Sequence, residues 1–202
     1  YVDAGSDIIY SNTFGANAHK LEGTGHTTEE LVAANVAIAK KAADGRAKVA
    51  LDVGPIGELM EPLGTLAFDE AYEIYAQMVR AGEQAGADLV IFETMTDLYE
   101  VKAAVLAARE QSNLPIWVTM SFEATGRTFT GTTVASMAAT LEGLDVAAMG
   151  INCSLGPEEI FPLIEEMRKW TDKPLIVKPN AGLPDPATGG YDMDAAEFGR
   201  QM

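Results

Sequence analysis

Six short apolar runs rich in β-formers alternate with helical patterns along the 202 residues, and this alternation restricts the chain more than any other feature. The runs cover residues 7–13, 48–52, 88–93, 115–121, 146–152 and 174–179. Several are apolar almost throughout, which is the pattern of parallel strands covered on both faces. Between them, Thr27 and Glu30 form a capping box ahead of Leu31, Ala34, Ile38 and Ala42. Ala71, Ile74, Tyr75, Met78, Val79 and Gly82 recur at helical spacing, with Gly86 as the stop. Asp97 caps a stripe of Val101, Ala104, Val105 and Ala108, and residues 133–141 make a shorter helix. Pro157 suits the first turn of a helix carrying Ile160, Leu163, Ile164 and Met167.

Strand-helix alternation of this kind calls for a parallel sheet with right-handed crossovers. A repeat of about thirty residues is that of a (β/α)8 TIM barrel, which needs about 250 residues in all. A doubly wound open sheet is the alternative, but no G-x-G-x-x-G follows the first strand. Six strands are two short of closure, so the expectation is an incomplete TIM barrel holding about strands 2–7. Residues 1–202 then form one domain lacking its first and last strand-helix units. An open arc of strands would expose unpaired edges. No apolar stretch is long enough for a membrane span. A formal charge of −16 repels nucleic acid and anionic lipid. The single cysteine excludes a disulfide framework and fits a reducing, cytoplasmic setting.

In a barrel the carboxyl ends of all strands surround one mouth, where chemistry collects. Here those ends carry Ser11-Asn12-Thr13, Asp52-Val53-Gly54-Pro55, Glu93-Thr94, Thr119-Met120-Ser121, Asn152-Cys153 and Lys178-Pro179-Asn180. Asn12 and Asp52 are equally well read as turn formers. Glu93 directly follows Leu89-Val90-Ile91-Phe92, so its carboxylate needs a cationic partner beside the core. A substrate ammonium would serve, and so would Lys178. Cys153 is either a small buried hydrophobe or a metal ligand. His19 and His26 have no ligand spacing with it.

Taken together, Tyr10-Ser11-Asn12-Thr13-Phe14-Gly15-Ala16, Asp52-Val53-Gly54-Pro55-Ile56-Gly57-Glu58-Leu59, Ile91-Phe92-Glu93-Thr94, Gly150-Ile151-Asn152-Cys153-Ser154-Leu155-Gly156-Pro157 and Lys178-Pro179-Asn180-Ala181-Gly182 stand in a telling order. This series resembles the homocysteine-binding domain of zinc-dependent homocysteine S-methyltransferases, nearest to the amino-terminal module of cobalamin-dependent methionine synthases. The resemblance implies a TIM barrel whose zinc is held by three cysteines. One of them maps to Cys153. The other two form an adjacent pair in a Gly-Gly-Cys-Cys-Gly-Thr segment that this chain lacks, as it lacks the Asp-Gly-Ala-x-Gly-Thr segment of the family's first strand. The resemblance also implies that Glu93 helps hold the homocysteine amino group and that Asn180 stands near the metal. Cys153 and Glu93 are therefore the expected catalytic residues, with Glu93, Asn12 and Asn180 binding substrate and Cys153 the metal ligand.

The implied chemistry begins with a thiol whose free pKa is about 8.5 and which zinc ligation turns into a thiolate nucleophile. Its methyl donor is methylcobalamin or another carrier, and cobalamin- and folate-binding modules are the implied partners. Two rivals stand beside this reading. Lys178 could form a Schiff base if burial lowered its pKa toward neutrality. Alternatively, the barrel could be non-catalytic, binding a small amino acid or docking a corrinoid protein.

Overall fold

The computed structural model describes residues 1–182, 187–191 and 193–202. Six strands, β1 (Ile8–Tyr10), β2 (Lys48–Val53), β3 (Leu89–Met95), β4 (Ile116–Met120), β5 (Ala148–Asn152) and β6 (Leu175–Lys178), form one sheet in sequential order. Every neighbouring pair is parallel. A doubly wound sheet reverses its strand order at a switch point; this one never does. The sheet is a curled six-strand arc of TIM-barrel architecture.

The helices are α1 (Ala18–Leu21), α2 (Thr28–Ala43), α3 (Phe68–Gln84), α4 (Leu98–Gln111), α5 (Val134–Gly143), α6 (Pro157–Arg168) and α7 (Ala195–Gln201), preceded by a 3-10 turn at Val2–Ala4. Their starts follow the sequence signals. Thr27 and Glu30 exchange both bonds of the capping box, and the side chains of Asp97 and Thr133 accept from the first turns of α4 and α5. Gly86, with φ of +88°, follows α3 in a conformation that favours glycine. The 3-10 turn, α1 and α7 were not expected; all three are shorter than two helical turns and leave little periodicity to read.

Strand alternation divides the apolar side chains between two faces. Val49, Leu51, Val53, Val90, Phe92, Val118, Met120, Met149 and Ile151 join the main core with the helices. Ala50, Leu89 and Ile91 form a second, smaller cluster with Ile8, Tyr10, Trp117 and Ile176, and this lines the concave side. The pairings keep these layers level: Asp52 lies opposite Ile91, Thr119 opposite Gly150, and Asn152 opposite Lys178. Gly150 cannot carry a side chain, because a Cβ there would stand 1.8 Å from the Ile176 carbonyl oxygen.

The first strand is shorter than the run 7–13 suggests. Beyond Tyr10 the Ser11 amide still donates to the Ala50 carbonyl at 2.9 Å, and the hydroxyls of Ser11 and Thr13 continue the bonding to β2. At β3 the pairing with β4 shifts between Phe92 and Met95, which carries the strand beyond Glu93.

Candidate functional site at the barrel mouth

The loop that follows β1 is locked to β2 and to the loop after it. Ser11 Oγ donates to the Ala50 carbonyl at 3.1 Å and Thr13 Oγ1 donates to the Asp52 carbonyl at 2.7 Å. The Gly54 amide donates to the Phe14 carbonyl at 3.0 Å. Gly54 is bare because the Phe14 ring lies against it, and a Cβ would meet that ring at 2.4 Å. Ser11, Thr13, Phe14 and Gly54 are thus framework. Asn12, between them, is exposed. It lines a cavity of about 830 Å³ beside β1, together with Tyr10 and Lys178.

Behind this loop pair the concave face turns polar. Lys178 Nζ donates to Glu93 Oε2 at 2.5 Å and lies 4.3 Å from the centroid of the Tyr10 ring. The Glu93 side chain is 13% exposed, that of Lys178 41%. Lys178, one of the two cations considered for Glu93, thus bonds to it. Burial alone would lower the Lys178 pKa, but its bond to Glu93 and the fields of Tyr10 and Glu93 hold it above the ordinary lysine value. That is the reverse of what a Schiff-base lysine requires.

Asp52 is buried beside this pair, and its Oδ1 has no hydrogen-bond partner among the described residues. Burial, then repulsion from Glu93, pushes its carboxyl up to about 7, against a smaller pull from Lys178. Thr119 is also fully buried, with Oγ1 unpartnered among the described residues. Two carboxylates thus stand in the field of one lysine, whose ammonium bonds to Glu93.

On the other side of Glu93, Asn152 clamps β3 to β5. Its Oδ1 accepts from the Thr94 amide at 2.9 Å, and its Nδ2 donates to Thr94 Oγ1 at 2.8 Å. Ser121 Oγ donates to the Asn152 carbonyl at 2.9 Å. Thr94, Cys153 and Ser154 all adopt left-handed backbone, with φ of 61°, 61° and 63°. Such residues gather where surrounding bonds over-determine the chain. Here the Cys153 amide donates to the Lys178 carbonyl at 3.1 Å, Ser154 Oγ donates to the Phe122 carbonyl at 2.6 Å, and the Leu155 amide donates to the Cys153 carbonyl at 2.8 Å.

Cys153 is exposed at this rim rather than packed in the core. Asn180 is half-buried in the adjoining turn, its amide donating to the Leu155 carbonyl at 2.9 Å. Cys153 fits one position of a thiolate zinc site by donor type and exposure. Among the described residues no group of three His, Cys, Asp or Glu side chains could hold an ion. His19 lies 3.6 Å from Glu58, and His26 is exposed.

The structure thus gathers Asn12, Glu93, Cys153 and Asn180 at the carboxyl ends of the strands. Reasoning from sequence missed the roles of Tyr10, Thr94 and Asn152. Asn152 had a readable signal, an amide closing an apolar strand directly before the thiol. Tyr10 had none, because only the curl of the sheet brings it beside β6.

Comparison with known proteins identifies the family and the fold. Methionine synthase of Mycobacterium leprae (strain TN) is 31% identical over 91% of this chain and 16% of that protein. That of Mycobacterium tuberculosis (strain ATCC 25618 / H37Rv) is 30% identical over the same shares. The chain therefore spans about a sixth of the length of these relatives. The homocysteine methyltransferase MmuM from Escherichia coli has the same fold in its oxidized and metallated forms. The TM-scores are 0.80 and 0.79 at 23% identity, covering 89% of this chain and 68% and 69% of those chains. The homocysteine S-methyltransferase family model matches residues 1–202, the full extent of the chain, and the chain belongs to that family.

Proposed function

We propose that the chain is the homocysteine-binding barrel segment of a methionine synthase, transferring a methyl group to the thiol of homocysteine with zinc bound at the mouth. The supporting observation is that Glu93, beside an Asp52 whose Oδ1 has no partner among the described residues, and the exposed thiol of Cys153 share one rim in a chain matched throughout by the family. Glu93 and Asp52 receive the amino group of homocysteine, while Asn12 and Asn180 bond its polar end. Cys153 supplies one zinc ligand, and the remaining donors come from outside these 202 residues. Zinc, when bound, supplies the positive charge that keeps a thiol ionised at neutral pH.

The rest of the work is positioning. The Asn152–Thr94 clamp fixes Cys153 relative to Glu93, so that a molecule held at its amino group presents its sulfur at the rim. A sulfur–carbon bond then forms as the donor's bond to the methyl breaks, and the thiol proton passes to solvent. A cobalamin carrier on a separate module is the proposed donor, with a folate-binding module as its methyl source, in the cytoplasm. The raised pKa of Lys178 disfavours the Schiff-base alternative.

Cys153→Ser in the full-length protein is the test. Elemental analysis should find one zinc per wild-type barrel and none in the variant, with methyl transfer to homocysteine lost in parallel. A variant that keeps both its metal and its turnover would refute the ligand assignment.

A further inference from the structure

Lys178 raises a question that the methyltransferase reading leaves open. A site meant to take a substrate ammonium already contains one, bonded to the carboxylate that should receive it. Its Nζ lies between Glu93 Oε2, 2.5 Å away, and the face of Tyr10, with the centroid at 4.3 Å. Both contacts are those an α-ammonium would make on entering. Within these 202 residues its side chain is 41% exposed and borders the cavity that Asn12 also lines. Its backbone is fixed, since the Lys178 carbonyl accepts from the Cys153 amide. Only the flexible side chain needs to move, and water can solvate the ammonium once it has turned outward. Two ammonium groups cannot share one carboxylate oxygen without repelling each other.

We propose that Lys178 is a specificity-determining placeholder: its ammonium occupies the amino-group subsite of the empty barrel and must be displaced from Glu93 by the incoming amino acid. The inference rests on the homocysteine reading given above. It makes affinity a competition between an internal cation and an external one. Lys178 therefore weakens binding of any ligand that carries an ammonium. A molecule without an amino group leaves the Lys178–Glu93 pair closed, so its affinity does not depend on Lys178.

The test is ligand binding by calorimetry to the full-length, zinc-loaded protein, comparing wild type with Lys178→Met and Glu93→Gln. Three probes separate the groups: homocysteine, 3-aminopropane-1-thiol (no carboxylate) and 4-mercaptobutanoate (no amino group). With Lys178→Met, homocysteine and the aminothiol should each bind about three- to fivefold tighter, the worth of one half-exposed ion pair. The mercapto acid should be unchanged. Weaker binding of homocysteine and of the mercapto acid would mean that Lys178 grips the substrate carboxylate, and unchanged binding of all three would mean it is a bystander; either overturns the proposal. Glu93→Gln tests the underlying reading separately, because loss of amine binding there supports the subsite whatever Lys178 does. If the wild type takes no homocysteine and Glu93→Gln changes nothing, the parent reading fails with it. Circular dichroism melts of both variants establish that the fold is retained.

Discussion

Asp52 holds its charge under protest. Its carboxyl stands at about 7 because it is buried with Glu93 nearby and its Oδ1 lacks a partner among the described residues. Unfolding returns it to the ordinary value of 3.8, so the folded chain binds the extra proton between those two limits. Stability from this group is therefore full below about pH 4 and declines as pH rises toward 7. Asp52→Asn should remove that decline. In urea melts at pH 5 and pH 8, the wild type should lose on the order of 2–3 kcal/mol and the variant much less. Equal slopes for the two proteins would show that Asp52 ionises freely. Glu100 is a buried carboxylate of another kind. It accepts from the Ile56 amide at 2.8 Å and the Tyr75 hydroxyl at 2.6 Å, and so anchors the loop after β2 to α3 and α4. Tyr75→Phe should cost about 1.5–3 kcal/mol in thermal or urea unfolding, since it removes a hydrogen bond to a charged acceptor.

Among the elements, the junction of β5 and β6 carries the site most directly. These two strands present Asn152, Cys153, Lys178 and Asn180. Their close approach depends on Gly150, where an added Cβ would collide with backbone rather than with a movable side chain. Gly150→Ala should destabilise the fold by about 3 kcal/mol or more. It should also raise hydrogen exchange across β6 before β2 or β3 responds, which mass spectrometry of peptides would resolve. The β1–β2 loop pair is the matching device on the other side of the mouth, with Phe14 laid over Gly54. Both glycines stood in the motifs quoted from the sequence. Their reason, in each case, is a neighbour far along the chain.

For the whole molecule, charge and topology act together. A net charge of −16 keeps copies apart at neutral pH, while β1 and β6 each pair on one side only among the described residues. Repulsion vanishes near the sequence pI of 4.4. Light scattering of this chain should therefore peak close to that pH and fall on either side. A flat profile from pH 4 to pH 8 would show that the strand edges are not what drives association. No helix of the described residues is long and apolar enough to cross a membrane.

The order of elements was legible in the sequence, because unbroken apolar runs and capped helical stripes are local patterns that a chain cannot hide. So, to within a few residues, were the ends of the strands, and with them the position of Asn12, Glu93, Cys153 and Asn180 at those ends. What the sequence left open was partnership. It allowed Glu93 two cations and Cys153 two fates, because burial and distance depend on how the sheet curls. The tertiary structure alone placed Lys178 on Glu93, left Asp52 Oδ1 without a partner and turned Cys153 outward. The physical reason is that a strand's residues choose their face by parity, but meet their neighbours only through registry with strands dozens of residues away.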